Sequence, residues 1–595
     1  MYGNNQGRHM NSSHISSLAK ILMLLAGVFA MLALLLAYLF PFHLLPWTTF
    51  YNEWLFALFV GLGLAWVVAH NSVALADVRP WMLVLLVATL HTWGRGQIEP
   101  TQVTLWTVFL GFGLVGWLAC SLGLNLRGTY WLKAVLAVVW LAALVSALIA
   151  VLQWSGIVSG ANWDPGFILY SEGGGRVSSN IGQANNLGTL LVLGLGVVGY
   201  AWYVSGVQSS AWRVLAVLSI VLLVSGVYFS GSRTATLNLI LWPVLFFVWA
   251  RWRRQQWPWL ALLPVALLGV LQLAMPPLIE WWGLFPVQEA RSIVSDGNRP
   301  RLWMMVLTAI GEQPWLGHGF GAVANAHLRL SPEFGAFDLT IAQHAHNTVL
   351  DMWAIFGLPF GTLIVGGVVW MWVRAWIKSQ SVAEQFIWLM ATAMLVHAML
   401  EYPLHYGFFF WLLCLLLGAL GAKEWKVLNI RHAVPASMAW LAVFMAVAVP
   451  VWHAYVQTES LYTAYRQRGP EAMHQLLKQL PPTLGETLYP ELYERLRWAT
   501  LPMDDVLALN EEGLAALEQQ ASRYPLPTLG WRVAFAQAAR GNVEQATWWA
   551  ERMCRMFDPR VCASAAEEWK RRGAENPKWP ALPWEKWLPA NAGKP

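Results

Sequence analysis

Residues 131–150 read WLKAVLAVVWLAALVSALIA, a run in which Lys133 is the one charge. An α-helix rising 1.5 Å per residue crosses about 30 Å of hydrocarbon with roughly 20 such residues, and the run supplies them. A barrel strand of about 10 residues with alternating polarity is excluded by the length and by the Leu/Ala/Val content. Working outward, similar runs begin near residues 16, 54, 80, 103, 131, 187, 211, 234, 258, 347, 384, 407 and 434, the third of them (80–93) short. The composition agrees: 57% of the 595 residues are hydrophobic and 12% are charged, far from a soluble globular chain. The expected fold is all-α, a polytopic helical membrane protein of about 13 transmembrane helices. The first run has no small-residue cleavage site behind it and reads as a retained helix.

Charge orients the bundle. With the N-terminus on the cytoplasmic side, the short inner loops and helix ends hold fourteen basic residues, the RWRR run at 251–254 being the densest, against three in the short outer loops. Thirteen spans then place two long segments outside, a loop over about 275–345 and everything after about His453. The expected division is a membrane domain over 1–455, including that loop, and a soluble outer helical domain over 456–595.

Basic residues that oppose this bias need another reason to be where they are. Arg95 has no account. Arg176 lies in SEGGGRVSSNIGQANN, Arg233 in FSGSRTA, and the long loop adds Arg291, Arg299, Arg301 and Arg329. Guanidinium forks match phosphate oxygens in charge and geometry, while snorkelling to headgroups or pairing with Glu172 and Asp296 is the structural alternative. Gly173 to Gly175 form either an anion-binding nest or a flexible turn. The loop closes on AQHAHNTVLDMWAIFGLP (342–359), where His344 and His346 stand before an apolar run. EYPLHY (401–406) sets a carboxylate, a histidine and two phenols around a helix-ending proline, and PFHLLPWTTFYNEW (41–54) joins them on the same face as a cap or re-entry.

The order of GRVSSNIGQANN, GSRTA, RPRLW followed by PWLGHGFG, HAHN, IFGLP and EYPLHY resembles the O-antigen ligase and polymerase superfamily. Within it the nearest likeness is to bacterial protein O-oligosaccharyltransferases, which glycosylate pilins and other exported proteins; GQANN, EYPLHY and the 41–54 segment point to that branch. The resemblance implies a metal-independent glycosyltransferase that moves a preassembled oligosaccharide from an undecaprenyl-pyrophosphate carrier to a Ser or Thr hydroxyl of an exported, pilin-like protein. It implies residence in the bacterial inner membrane, in contact with its lipid, with the active face and the C-terminal domain periplasmic. No cofactor, metal or nucleic acid is expected, and no HExxH, CxxC or tight acidic cluster appears.

Site residues follow from the matched motifs. Arg176, Arg233 and either Arg299 or Arg301 are expected at the donor pyrophosphate, where they would offset the charge that builds on the leaving group. Arg299 has the family's spacing to Trp303. His346 is expected as general base toward the acceptor hydroxyl, since imidazoles titrate near neutral pH, with Asn347 holding its ring or capping the following helix. His344 is a neighbour. Many relatives carry a glutamate where this chain has Ile355, and Asp351 lies four residues earlier on the same helical face. Gln183, Asn186, Glu401, Tyr402, His405 and Tyr406 are expected to support the site.

Beyond about Gln457 the composition turns to Glu, Gln, Arg and Ala with helical period, and residues 531–559 read as two helices joined at Gly-Asn, resembling a tetratricopeptide-like hairpin. Such a hairpin favours a protein acceptor. Cys554 and Cys562 lie there, where an oxidising periplasm permits a disulfide, two separate thiols being the alternative. Cys120 and Cys414 read as inert packing residues. Competing functions are an O-antigen ligase acting on lipid A core, a glycan polymerase and, from another class, a secondary transporter; the last predicts midplane charges and paired repeats, which the sequence lacks.

Overall fold

The structure, a computed structural model, describes residues 6–69, 72–74, 86, 91, 130–158, 166–169, 176–204, 209–256, 261–283, 298–337, 340–421, 427–429 and 433–588. In chain order the helices are α1 (Gln6–Leu39), α2 (Phe50–Val68), α3 (Tyr130–Trp154), α4 (Ala184–Val204), α5 (Ser210–Ser230), α6 (Arg233–Arg253), α7 (Leu263–Trp281), α8 (Asn298–Glu312), α9 (Ala322–Phe334) and α10 (Thr348–Lys378). They continue with α11 (Val382–Ala398), α12 (Gly407–Gly421), α13 (Ala433–Gln479), α14 (Leu484–Leu488), α15 (Pro490–Thr500), α16 (Met503–Leu507), α17 (Glu511–Arg523), α18 (Pro527–Ala539), α19 (Val543–Met556) and α20 (Pro559–Glu575). Two three-residue strands, Ser72–Ala74 and Val427–Asn429, pair antiparallel.

Among the described residues, nine helices are long and apolar enough to cross a membrane: α1 to α7, α10 and α13. The shorter α11 and α12 are also apolar, so eleven of the thirteen expected runs are helices here. The runs expected from 80 and 103, Cys120 and Arg95 lie outside the described residues, as do Glu172, Gly173 to Gly175, Arg291 and Asp296. The chain is an all-helical polytopic membrane protein. Its residues fall into two compact units, one drawn from 1–86, 104–293 and 366–449, the other from 87–103, 294–365 and 450–595.

The first unit is patterned for lipid. Helix α6 exposes Leu237, Ile240, Val244 and Phe247, spaced by three and four residues, and buries Thr234 and Asn238. That inverts the soluble amphipathic pattern, because hydrocarbon rather than water lies outside. The Asn238 Nδ2 donates to the carbonyls of Thr234 (3.1 Å) and Ala393 (3.3 Å). Helix α4 is buried along most of its length and approaches α11 through glycine: a Cβ at Gly196 would stand 2.4 Å from Met390, and one at Gly199 would stand 2.3 Å from Phe386. Small residues permit this contact, which supplies dispersion where no hydrophobic drive exists between helices in lipid.

In the second unit, α8 buries Leu302, Met305, Val306, Ala309 and Ile310, an i, i+3, i+4, i+7, i+8 stripe, so the segment expected as a long polar loop carries packed helices. Helix α10 was expected as one run from about 347; it is broken at Gly357 (φ 78°, ψ 168°), before Pro359. The break is where PWLGHGFG meets IFGLP. The N–H groups of His318 and Gly319 donate to Ala354 and Ile355 (2.7 and 3.0 Å), and Leu358 donates to Pro314 (2.7 Å). A Cβ on Gly357 would lie 2.4 Å from the Trp315 carbonyl oxygen, so only glycine serves there.

Helix α13 continues through the expected boundary at 456 as far as a break at Gly469. Helices α18 and α19 are the two expected from residues 531–559, turning at Gly541 (φ 76°). Phe535, Trp549, Met553 and Trp569 bury in one core, and Cys554 and Cys562 are disulfide-bonded, tying α19 to α20. Cys414 is a buried free thiol in α12.

Candidate active site

In the first unit, three of the motifs converge on a single side chain, Asn185, in the first turn of α4. Its Oδ1 accepts from Arg176 Nη2 (3.1 Å) and from the Ser232 hydroxyl (3.0 Å), and its Nδ2 donates to Glu401 Oε1 (3.1 Å). Arg176 also donates through Nε to the Ser230 carbonyl (3.4 Å), its chain passing over Gly231, whose φ is 55°. Ser232 caps α6, accepting from Ala235 N–H at 3.2 Å, so Arg233 begins the helix immediately after the cap. Glu401, at the end of this chain of bonds, is buried.

The loop bearing Arg176 is braced from beneath. Ser179, at φ 53°, donates its backbone N–H to Gln153 Oε1 (2.7 Å). Asn180 donates to the Leu39 and Phe167 carbonyls (2.8 Å each) and accepts from Leu169 N–H (3.0 Å). His43 faces two backbone carbonyls, Thr48 (3.0 Å) and Asn180 (2.8 Å), fastening the 41–54 segment to this loop. Gln183 accepts from Leu187 N–H through its carbonyl, and Asn186 is buried in the next turn.

EYPLHY breaks the helix as expected: α11 ends at Ala398, Pro403 opens a single 3₁₀ turn, and α12 starts at Gly407. The rings of Tyr402 and Tyr406 lie 5.8 Å apart, with His405 6.2 Å from Tyr402. Burial pushes both phenols above their ordinary range, so they remain hydrogen-bond donors at neutral pH.

In the second unit, the HAHN string is held at both peptide groups of Ala345. Its N–H donates to Asp351 Oδ1 (2.8 Å), and its carbonyl accepts from Trp303 Nε1 (2.9 Å). His346 follows at φ 53°, in the left-handed region that few non-glycine residues occupy. Asn347 caps α10 through Oδ1, accepting from Val349 (3.0 Å) and Leu350 (3.3 Å). Ring and carboxylate atoms of His344 and Asp351 lie within 4.8 Å. Arg299 and Arg301 both stand in the first turn of α8. Arg301 donates to Asn298 (3.2 Å) and to the Ala336 carbonyl (2.5 Å) and lies over the Phe337 ring.

Near these lies His327, fully buried in α9. It accepts at Nδ1 from Ala342 N–H (3.2 Å) and donates at Nε2 to the Gly335 carbonyl (3.1 Å), a pairing that only the neutral ring makes. Burial lowers it to about 4, and the Arg301 charge acts in the same direction.

The expected residues thus divide between the units: Arg176, Gln183, Asn186, Arg233, Glu401, Tyr402, His405 and Tyr406 in the first, and Arg299, Arg301, His344, His346, Asn347 and Asp351 in the second. Sequence reasoning missed Asn185, passing over it for its neighbours Gln183 and Asn186. It also missed Ser232, Gln153, Asn180 and the indole of Trp303, which it used only to choose between arginines.

Comparison with known proteins agrees with the order of these motifs. Residues 218–366 match the family described as O-antigen ligase, and residues 385–571 match the one described as virulence factor membrane-bound polymerase, C-terminal. A general O-oligosaccharyltransferase of Acinetobacter baylyi is 28% identical over 477 residues, 75% of this chain and 79% of that protein. A ComP-specific O-oligosaccharyltransferase of the same organism is 23% identical over 311 residues, 50% of this chain and 54% of that protein. The O-antigen ligase match runs through the HAHN string, and along most of its length the chain is similar to an O-oligosaccharyltransferase.

Proposed function

We propose that this protein is a membrane glycosyltransferase that moves a preassembled oligosaccharide from an undecaprenyl-pyrophosphate carrier to a Ser or Thr hydroxyl of an exported, pilin-like protein. The active face and the C-terminal helical domain lie on the periplasmic side of the bacterial inner membrane. The observation that carries this reading is the held HAHN turn: His346 is the residue that the family motif offers as a base, and its backbone is fixed in a conformation that folding alone does not favour. His346 takes the acceptor proton as the hydroxyl oxygen attacks the anomeric carbon. The bond from that carbon to the pyrophosphate oxygen breaks, and the configuration inverts. Negative charge grows on the leaving pyrophosphate, for which Arg176, Arg233 and Arg299 supply guanidinium donors. Relatives named for protein glycosylation support a protein acceptor.

The test is co-expression in a host lacking its own ligases, with one lipid-linked glycan and either a pilin or a lipid A core as acceptor. Glycan is expected on the pilin, and His346→Ala is expected to abolish it at unchanged abundance of the protein in the membrane. Glycan on lipid A alone would replace this function with that of an O-antigen ligase, and chain extension without transfer to either acceptor would indicate a polymerase.

A further inference from the structure

Two peptide groups meet at Ala345, and each is pinned by a different element. The group joining His344 to Ala345 presents its N–H to Asp351 Oδ1, one turn into α10 (2.8 Å). The group joining Ala345 to His346 presents its carbonyl to the Trp303 indole N–H, from α8 (2.9 Å). Ala345 is fully buried and Asp351 nearly so, which excludes water as a substitute partner for either bond. On the far side of His346, Asn347 is fixed by capping Val349 and Leu350. The left-handed backbone of His346 therefore sits between two anchored points, and the carbonyl held by Trp303 belongs to the very peptide whose rotation would release it.

We propose that Trp303 and Asp351 are positioning residues that set the angle at which His346 presents its ring, Asp351 as the hydrogen-bond acceptor of the Ala345 N–H. This rests on His346 being the base in the reaction above. Asparagine in place of Asp351 keeps an oxygen for the Ala345 N–H; leucine removes it. Phenylalanine in place of Trp303 keeps a ring and removes the donor. A base turned away from its proton slows the chemical step without weakening donor binding, and small misplacements of this kind cost up to roughly 100-fold.

The experiment measures transfer by the full-length protein in proteoliposomes, using a synthetic polyprenyl-pyrophosphate oligosaccharide and a purified acceptor, with thermal unfolding followed in the same preparations. Trp303→Phe and Asp351→Leu are expected to lose about 10- to 100-fold in kcat with KM for the donor unchanged within about twofold, and Asp351→Asn is expected to recover to within about threefold of the parent. Asp351→Asn falling as far as Asp351→Leu would overturn the acceptor role, and a loss carried by KM, or full activity in Trp303→Phe, would overturn positioning. His346→Ala, measured alongside, separates the two levels: inactivity there with an active Trp303→Phe defeats only the positioning role, whereas full activity in His346→Ala defeats both.

Discussion

Asn185 joins Arg176 to Glu401, taking a hydrogen bond from the guanidinium and giving one to the carboxylate. An amide accepts at one atom and donates at the next, which suits a guanidinium on one side and a carboxylate on the other.

Asn185→Leu should therefore release Arg176 without removing its charge. Loss of hydrogen bonds to charged groups costs about 1.5–3 kcal/mol, or roughly 10- to 100-fold in kcat/KM for the lipid-linked donor. Asn185→Asp should do no better, because it places a second carboxylate beside Glu401. Donor-concentration series on the purified protein check both, and wild-type kcat/KM in Asn185→Leu would remove Asn185 from the site.

The buried ring of His327 makes stability depend on acidity in a defined window. Its folded pKa, about 4, lies below the ordinary value of 6.5, so the unfolded chain binds the proton more readily. Its contribution is complete above about pH 6.5 and is lost as pH falls toward 4, amounting to about 3 kcal/mol over that interval. Unfolding midpoints between pH 7 and pH 4 should fall more steeply for the parent than for His327→Leu, and parallel curves would show that the ring does not stay neutral in the fold.

The Cys554–Cys562 bond closes a short loop, and the loop-closure estimate for such a span is about 2–3 kcal/mol. Cys554→Ser should lower the thermal midpoint of the full-length protein, read by protease sensitivity of the C-terminal helices. Intact cells should also show both thiols protected from a maleimide reagent until reductant is added. Immediate labelling without reductant would show that Cys554 and Cys562 are not bonded in the cell.

Sequence legibility followed the range of the forces involved. Helix α6 was readable because lipid exposure depends on residue type alone, and Asn347 as a cap because capping reaches only two or three residues. Asn185 was not, since its partners Arg176, Ser232 and Glu401 are 9, 47 and 216 residues away and nothing local distinguishes it from Asn186. The break at Gly357 was hidden for a similar reason: the carbonyl that forbids a Cβ there belongs to Trp315. Asp351 was noticed as a possible substitute for the acid missing at Ile355, but its bond to Ala345 runs backward along the chain, against the direction in which a helical face is read.

The backbone bonds that join Pro314, His318 and Gly319 to Leu358, Ala354 and Ile355 fasten two distant points of the chain as a buckle does a strap. The chain between them, which carries helix α9 and the buried His327, leaves and re-enters at these fastened points. Every bond in the buckle is made by main-chain groups, so what it demands of the sequence is Gly317 and Gly357 rather than any particular side chain.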